Sequence, residues 1–247
     1  MTVRPDPQRG VFETMLVVDG RPVELEAHLG RLRRSLEALY GTAPPAGTSE
    51  LVHRHAAGLE LGRLRLTVAP ATEPEVRVAP LAPEMVFPGW DGAPLLRPLP
   101  LPGGLGAHKW ADRRRVEPSE HEPGVVPLLL DADGSVLEAS RGNVFLVAGG
   151  MLVTPPADGR ILPGVTRRRV LALARATDAP VREREVGYSE LLAADEVFLT
   201  GAVRGVEPVR GCAGGTRWDE GPVTRGLARQ LRRLWTAVPA KEGSAWQ

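Results

Sequence analysis

Residues 105–115 read LGAHKWADRRR, and Lys109 in that stretch decides the reading of the whole chain. The protein carries 31 Lys plus Arg in 247 residues, and only Lys109 and Lys241 are lysines. Lys241 lies in the terminal KEGSAWQ, which reads as a frayed tail. The body of the chain therefore uses arginine for every cationic position but one. Arginine serves a solvated surface as well as lysine does, but its guanidinium does not lose a proton in proteins and cannot act as a free amine. Ala107, Trp110 and Ala111 flank Lys109 with apolar surface, which implies partial burial. A desolvated lysine has a depressed pKa and becomes a nucleophile. The chemistry that needs such an amine is Schiff-base formation with a carbonyl, against the plainer reading of a surface lysine.

Composition narrows the alternatives. A net charge of +1 argues against a nucleic-acid or membrane-surface binder, which would need a basic excess. The arginine pairs and triplets (33–34, 113–115, 167–169, 232–233) read as solvated helix faces. The single cysteine, Cys212, allows no disulfide framework within the chain and fits a reducing compartment. No signal-peptide pattern and no apolar run of membrane-spanning length is visible, so a soluble, cytoplasmic protein is expected.

The pattern along the chain is α+β. VFETMLVVDGRPVEL reads as a hairpin turning at Asp19-Gly20. Leu25, Leu29, Leu32, Leu36 and Leu39 recur at helical spacing, with Gly41 as a stop. A second helix follows from Thr48 or Ser49 as N-cap, then two strands, GRLRLTVAP and EVRVAPL. Residues 80–106 are broken by seven prolines and a Gly-rich end, and read as a stiff strap between two parts. The expected division is 1–102, with the strap beginning near 80, and 103–247. The second part shows hairpins at Asp133-Gly134 and Gly149-Gly150. A helix entered through Pro163-Gly164 follows, then the strand PVREREV, a short helix running into EVFLTG, and a last helix, GPVTRGLARQLRRLW.

Three weak signals carry little. His53 and His55 are two apart on a helix and point different ways, so no metal site is expected. DADG at 131–134 lacks the Gly and Glu that a calcium loop needs further on, and reads as a turn. GGLG at 103–106 follows prolines rather than a strand, so it is a poor dinucleotide fingerprint.

Glu138, in LEASRGNVFLV, ends a strand. It is either a hairpin residue or a carboxylate able to keep a pyridine nitrogen protonated. LPGVTRRRV places Gly164, Val165 and Thr166 at a helix N-terminus, where free N–H groups and the dipole favour an anion.

Lys109, Glu138 with NVFLV, LPGVTR and DEVFLTGAVRGVEPV occur in an order and spacing that resemble the class IV, fold-type IV family of pyridoxal-phosphate enzymes. That family includes branched-chain and D-amino-acid aminotransferases and aminodeoxychorismate lyases. FETMLVVDG and HLGRLRRSLEAL extend the resemblance, which runs from about Gly10 to Arg210. It implies a small α/β domain followed by a larger β-pseudobarrel domain, pyridoxal 5'-phosphate as cofactor, a small-molecule amino substrate and a homodimer. It implies that Lys109 carries the Schiff base and moves protons, and that Glu138 pairs with the pyridine nitrogen. It further implies that Arg31, Val165 and Thr166 bind the phosphate and that the turn Thr200, Gly201, Ala202, Val203 closes around it. Phe12, Thr14 and Arg204 become substrate candidates, Arg204 also reading as a surface loop residue. The chain departs from the pattern in having few residues before FET. Ala202 stands where aminotransferases often place a hydroxyl, and Phe12 where some D-amino-acid enzymes have tyrosine. The Ala-aliphatic-Arg-Gly run in TGAVRGVEPV resembles the lyase members. The resemblance thus favours aminodeoxychorismate lyase, with an amino-acid transaminase and a non-catalytic relative as alternatives.

Overall fold

The computed structural model describes residues 5–177 and 180–236; Lys241 and the tail around it lie outside them. The first part is an antiparallel sheet in the order β2-β1-β3-β4, formed by β1 (Val11–Val18), β2 (Arg21–Pro22), β3 (Leu61–Val68) and β4 (Glu75–Pro80). Asp19 and Gly20 both adopt positive φ, as the tight turn between β1 and β2 requires. Helices α1 (Leu25–Tyr40) and α2 (Thr48–Ala56) cover one face of this sheet. Met15, Val17, Leu64 and Leu66 alternate onto that face and meet Leu32, Leu36 and Val52. Helix α1 ends on Gly41 in the left-handed region, as its sequence predicts. Helix α2 is capped differently from expectation. Gly47 is the N-cap, and the Thr48 hydroxyl donates backwards to the carbonyl of Pro45.

The second part stacks two sheets. One has the order β13-β5-β6-β7: β5 (Leu95–Pro100), β6 (Val125–Leu130), β7 (Val136–Ala139) and β13 (Gly211–Cys212). The other has the order β10-β9-β8-β11-β12: β8 (Asn143–Ala148), β9 (Met151–Thr154), β10 (Val181–Glu183), β11 (Glu196–Gly201) and β12 (Gly205–Pro208). Val144, Leu146, Val197 and Leu199 face the first of these sheets. Phe145 and Phe198, paired across β8 and β11 with rings 5.0 Å apart, face α3 (Val165–Arg175) and α5 (Pro222–Thr236). After Asn143 strand β8 is apolar, VFLV, because both of its faces are covered. The short helix α4 (Tyr188–Leu192) leads towards β11.

The proline-rich segment is not a free strap. Residues 95–100 form β5 and pair in parallel with β6. β13 pairs only with Leu95 and Leu96, so Pro98 and Pro100 fall where β5 has become an edge and needs no further N–H donors. The Asp133-Gly134 hairpin also turns more widely than a two-residue loop. Residues 131–135 connect its strands, with only Gly134 at positive φ.

Candidate active site

The site residues singled out from the sequence all line one cavity of about 500 Å³ between the two parts. Lys109 reaches it from a short stretch that pairs with the start of β1. The Phe12 N–H donates to the Lys109 carbonyl at 2.8 Å, and the Ala111 N–H donates to the Gly10 carbonyl at 3.0 Å. Val11 and Trp110 form the bridge between them. The Lys109 Nζ lies 4.6 Å from the centre of the Phe12 ring. Burial, reinforced by the positive charge of Arg31, pulls the amine down to about 8.

Glu138, at the end of β7, is 4% exposed. Its carboxylate accepts from the Leu162 N–H at 3.3 Å and from Asn143 Nδ2 at 3.1 Å. Burial raises it to about 8, against the opposing pull of the Leu162 N–H and of Lys109. Asn143 also donates to the Leu162 carbonyl at 2.9 Å, so one amide locks the carboxylate and the LPGV turn together. Gly164 follows that turn, and a Cβ there would lie 2.1 Å from Asn143 Oδ1, so the close approach requires glycine.

The N-termini of two helices are treated in opposite ways. At α5, buried Glu196 accepts from the N–H groups of Val223 and Thr224 and from the Thr224 hydroxyl. At α3, Gly164 is the N-cap and no side chain caps it. Its first-turn N–H groups, on Val165 and Thr166, open to the cavity. The turn Gly201, Ala202, Val203 between β11 and β12 borders the same space, and so does Thr200, whose buried Oγ1 has no partner among the described residues. An uncapped helix end and an orphaned hydroxyl fit a bound anion there.

Arg31 projects from α1 into this region, but most of its guanidinium is committed. Nε and Nη2 donate to Glu13 at 2.8 and 2.6 Å, and Nη1 donates to the Pro163 carbonyl at 3.3 Å. His28 Nδ1 lies 2.7 Å from Glu13 Oε2, the oxygen that also accepts from Arg31 Nη2. Burial alone would raise Glu13, yet Arg31 and His28 hold it at about 2. This triad was not singled out in the sequence, although a lone acid inside VFETMLVV was a usable signal.

The remaining wall is arginine-rich. Thr14 pairs across the sheet with Arg65, and Leu16 with Arg63, so both arginines share the Phe12 face and line the cavity. The Arg65 guanidinium stacks 3.7 Å over the Phe12 ring. Burial and the neighbouring charges of Arg113 and Arg63 lower its pKa. Arg141 and Arg204 border the cavity near the Gly201 turn, anchored on buried Glu207 at 2.6 and 3.4 Å. The alternation in GRLRL could have exposed Arg63 and Arg65 as a pair, but only the tertiary structure turns their face towards a cavity rather than solvent.

Two perturbed groups in one cavity make the stability pH-dependent. Glu138 is raised, so its contribution is complete below about 4.5 and is lost as pH rises through 8. Lys109 is lowered, so its contribution is present above about 10.5 and is lost as pH falls through 8. Without ligand, the protein should lose melting temperature between pH 5 and pH 8, and Glu138→Gln should remove that loss. Parallel melts of the two proteins over this range check it, and identical slopes would refute it.

Comparison with known proteins shows the family. The family model described as amino-transferase class IV matches residues 10–86 and 112–212, more than half of the chain. A probable branched-chain-amino-acid aminotransferase from Thermotoga maritima is 47% identical over 102 residues, which cover 40% of this chain and 37% of that one. A second from Synechocystis is 36% identical over 120 residues, covering 49% and 38%. The chain thus spans well under two thirds of the length of the curated relatives it matches. Among solved structures, the 4-amino-4-deoxychorismate lyase from Pseudomonas aeruginosa superposes with a TM-score of 0.73 at 30% identity, covering 94% of both chains. A putative branched-chain amino acid aminotransferase from Thermotoga maritima superposes with a TM-score of 0.77 at 28% identity, covering 93% of this chain and 86% of that one. With the family model and whole-chain superposition in accord, this chain is a member of the class IV aminotransferase family.

Proposed function

We propose that the protein is a pyridoxal-phosphate-dependent 4-amino-4-deoxychorismate lyase, releasing 4-aminobenzoate and pyruvate. The observation that carries this reading is the arginine wall of Arg63, Arg65, Arg141 and Arg204 around the cavity. Aminodeoxychorismate carries two carboxylates, and guanidinium groups match carboxylates with paired, charge-assisted hydrogen bonds. A branched-chain amino acid would instead place an aliphatic side chain against these cations. The competing reading is a branched-chain transaminase, supported by the 47% identity over the matched region of the Thermotoga maritima protein.

The cavity residues fit the family's cofactor. Arg31, the Val165 and Thr166 N–H groups and the Gly201–Val203 turn would hold its phosphate, with the Thr200 hydroxyl as a further donor. Glu138 would face its pyridine nitrogen, and Lys109 would carry it. When bound, pyridoxal phosphate supplies an electron sink for charge that develops at the substrate carbon. Lys109 Nζ, whose pKa near 8 leaves part of it neutral at physiological pH, takes the proton from the carbon bearing the amine. It then returns a proton to the methylene of the departing enolpyruvyl group, so one residue serves as base and acid. Phe12 packs against that amine and excludes water from one side. A division placed ahead of β5 rather than at residue 102, because that strand pairs with β6, and a homodimer complete the proposal; light scattering of the purified protein tests the latter.

The deciding experiment supplies cofactor-loaded protein with aminodeoxychorismate and follows 4-aminobenzoate and pyruvate together. Both products in equal amounts support the lyase. Keto-acid formation from amino-acid donors without 4-aminobenzoate would establish the transaminase. A colourless protein that takes up no cofactor would leave a non-catalytic relative. Thr200→Val makes a separate prediction. Removing an unpartnered buried hydroxyl should stabilise the cofactor-free protein by about 1 kcal/mol while weakening cofactor binding roughly tenfold. Melts without cofactor and titration with pyridoxal phosphate read the two effects, and a variant weakened in both would refute the assignment.

A further inference from the structure

A second cavity, about 320 Å³, lies behind the N-terminus of α3, on the side facing α1. Arg34 of α1 and Arg167, Arg168 and Arg175 of α3 border it, with Glu183 of β10 as the single acid among the described residues that line it. Four guanidinium groups against one carboxylate leave a net charge of +3 on these lining residues. The carboxylate is already shared: Arg167 Nη2 donates to Oε2 at 2.8 Å, and Arg175 Nη2 donates to Oε1 at 2.6 Å. Arg167 is 5% exposed, and its Nε–H has no acceptor among the described residues. Arg34 and Arg168 form no ion pair among them either. Like charges gathered without counter-charge destabilise the unliganded surface, and a buried N–H without an acceptor adds to that cost. An anion would relieve both.

We infer that this cavity is a binding site for a small phosphate-bearing anion with at least two negative charges, clamped between Arg34 of α1 and Arg168 of α3 with Arg167 beneath. Planar guanidinium forks on two separate helices suit an anion with several equivalent oxygens better than a single carboxylate. Gly164 and Val165 border this cavity and the larger one alike, and Arg31 precedes Arg34 by one turn of α1. An anion joining the two helices therefore braces both sides of the space where the cofactor phosphate is proposed to sit. The binding site stands without the functional proposal; only the bracing rests on it.

The test is calorimetry on the cofactor-loaded protein, which keeps the larger cavity filled, with inorganic phosphate, pyrophosphate and glycerol phosphate as probes. Pyrophosphate should bind saturably, once per chain, and more weakly as salt rises. Arg34→Gln and Arg168→Gln each change an exposed side chain, and each should weaken binding by about tenfold. Tighter binding of glycerol phosphate than of inorganic phosphate would mark the ligand as a phosphate ester, and the reverse order would mark it as the free ion. Pyrophosphate should also slow cofactor release from the unsubstituted protein but not from the two variants. No saturable heat, equal binding in both variants, or binding seen only after cofactor removal would overturn the site. Normal binding with unchanged cofactor release would overturn the bracing alone.

Discussion

Lys109→Ala should abolish formation of 4-aminobenzoate, with kcat reduced by about 10⁴-fold or more, because in the proposed mechanism one amine provides covalent attachment, base and acid together. Lys109→Arg should be no better: a guanidinium stays charged at any pH the protein tolerates and cannot accept the proton. The fold should survive the alanine change. Burial already depresses the Lys109 amine, so removing it takes away a poorly solvated charge, and the melting temperature of the cofactor-free variant at pH 7 should stay level or rise. Product formation and a melt on the same preparation separate the two effects. A variant that kept a tenth of the activity would remove Lys109 from the mechanism, whatever else the cavity does.

The second large effect belongs to Glu13. Its carboxylate is the shared acceptor for Arg31 and His28, and Glu13 and Arg31 are both almost wholly buried, with side chains 2% and 6% exposed. Glu13→Ala would leave a buried guanidinium uncompensated and should destabilise the protein by about 3–5 kcal/mol. For a chain of this size that is a fall in melting temperature on the order of 10 °C. Replacing the pair together, as Glu13→Leu with Arg31→Met, should cost far less, because no charge remains to be desolvated. The sign with pH follows from the depressed carboxylate: its contribution is present above about 4.5 and is lost as pH falls towards 2. A single alanine variant melting within about 2 °C of the unsubstituted protein would show that the triad does not hold α1 to β1.

What could be read from the sequence, and what could not, follows from the range of the interactions. The hairpin at Asp19-Gly20 and helix α1 are set by neighbours in sequence, and both formed as their patterns require. Lys109 stood out through the scarcity of lysine, and Glu138 and the LPGVTR turn through their order along the chain. Strand β5 was hidden because prolines suggest a linker, and only the two-residue length of β13 shows why an edge can hold them. The Glu13–His28–Arg31 triad joins a strand to a helix, and the arginine wall needs the first sheet to be turned towards the second part. Neither relation has a period that a single segment could display.

The bridge between Val11 and Trp110 makes the surroundings of Lys109 depend on distant parts of the chain. The strand that fixes its backbone lies far ahead of it in the chain, while the Glu138 carboxylate and the uncapped helix end at residue 165 lie after it. Each half separately would own an incomplete set of contacts, and joining them is what brings the amine to its place. The burial that lowers the Lys109 amine is thus complete only when both halves are in place. Taken out of those surroundings, the same lysine would be an ordinary charged amine.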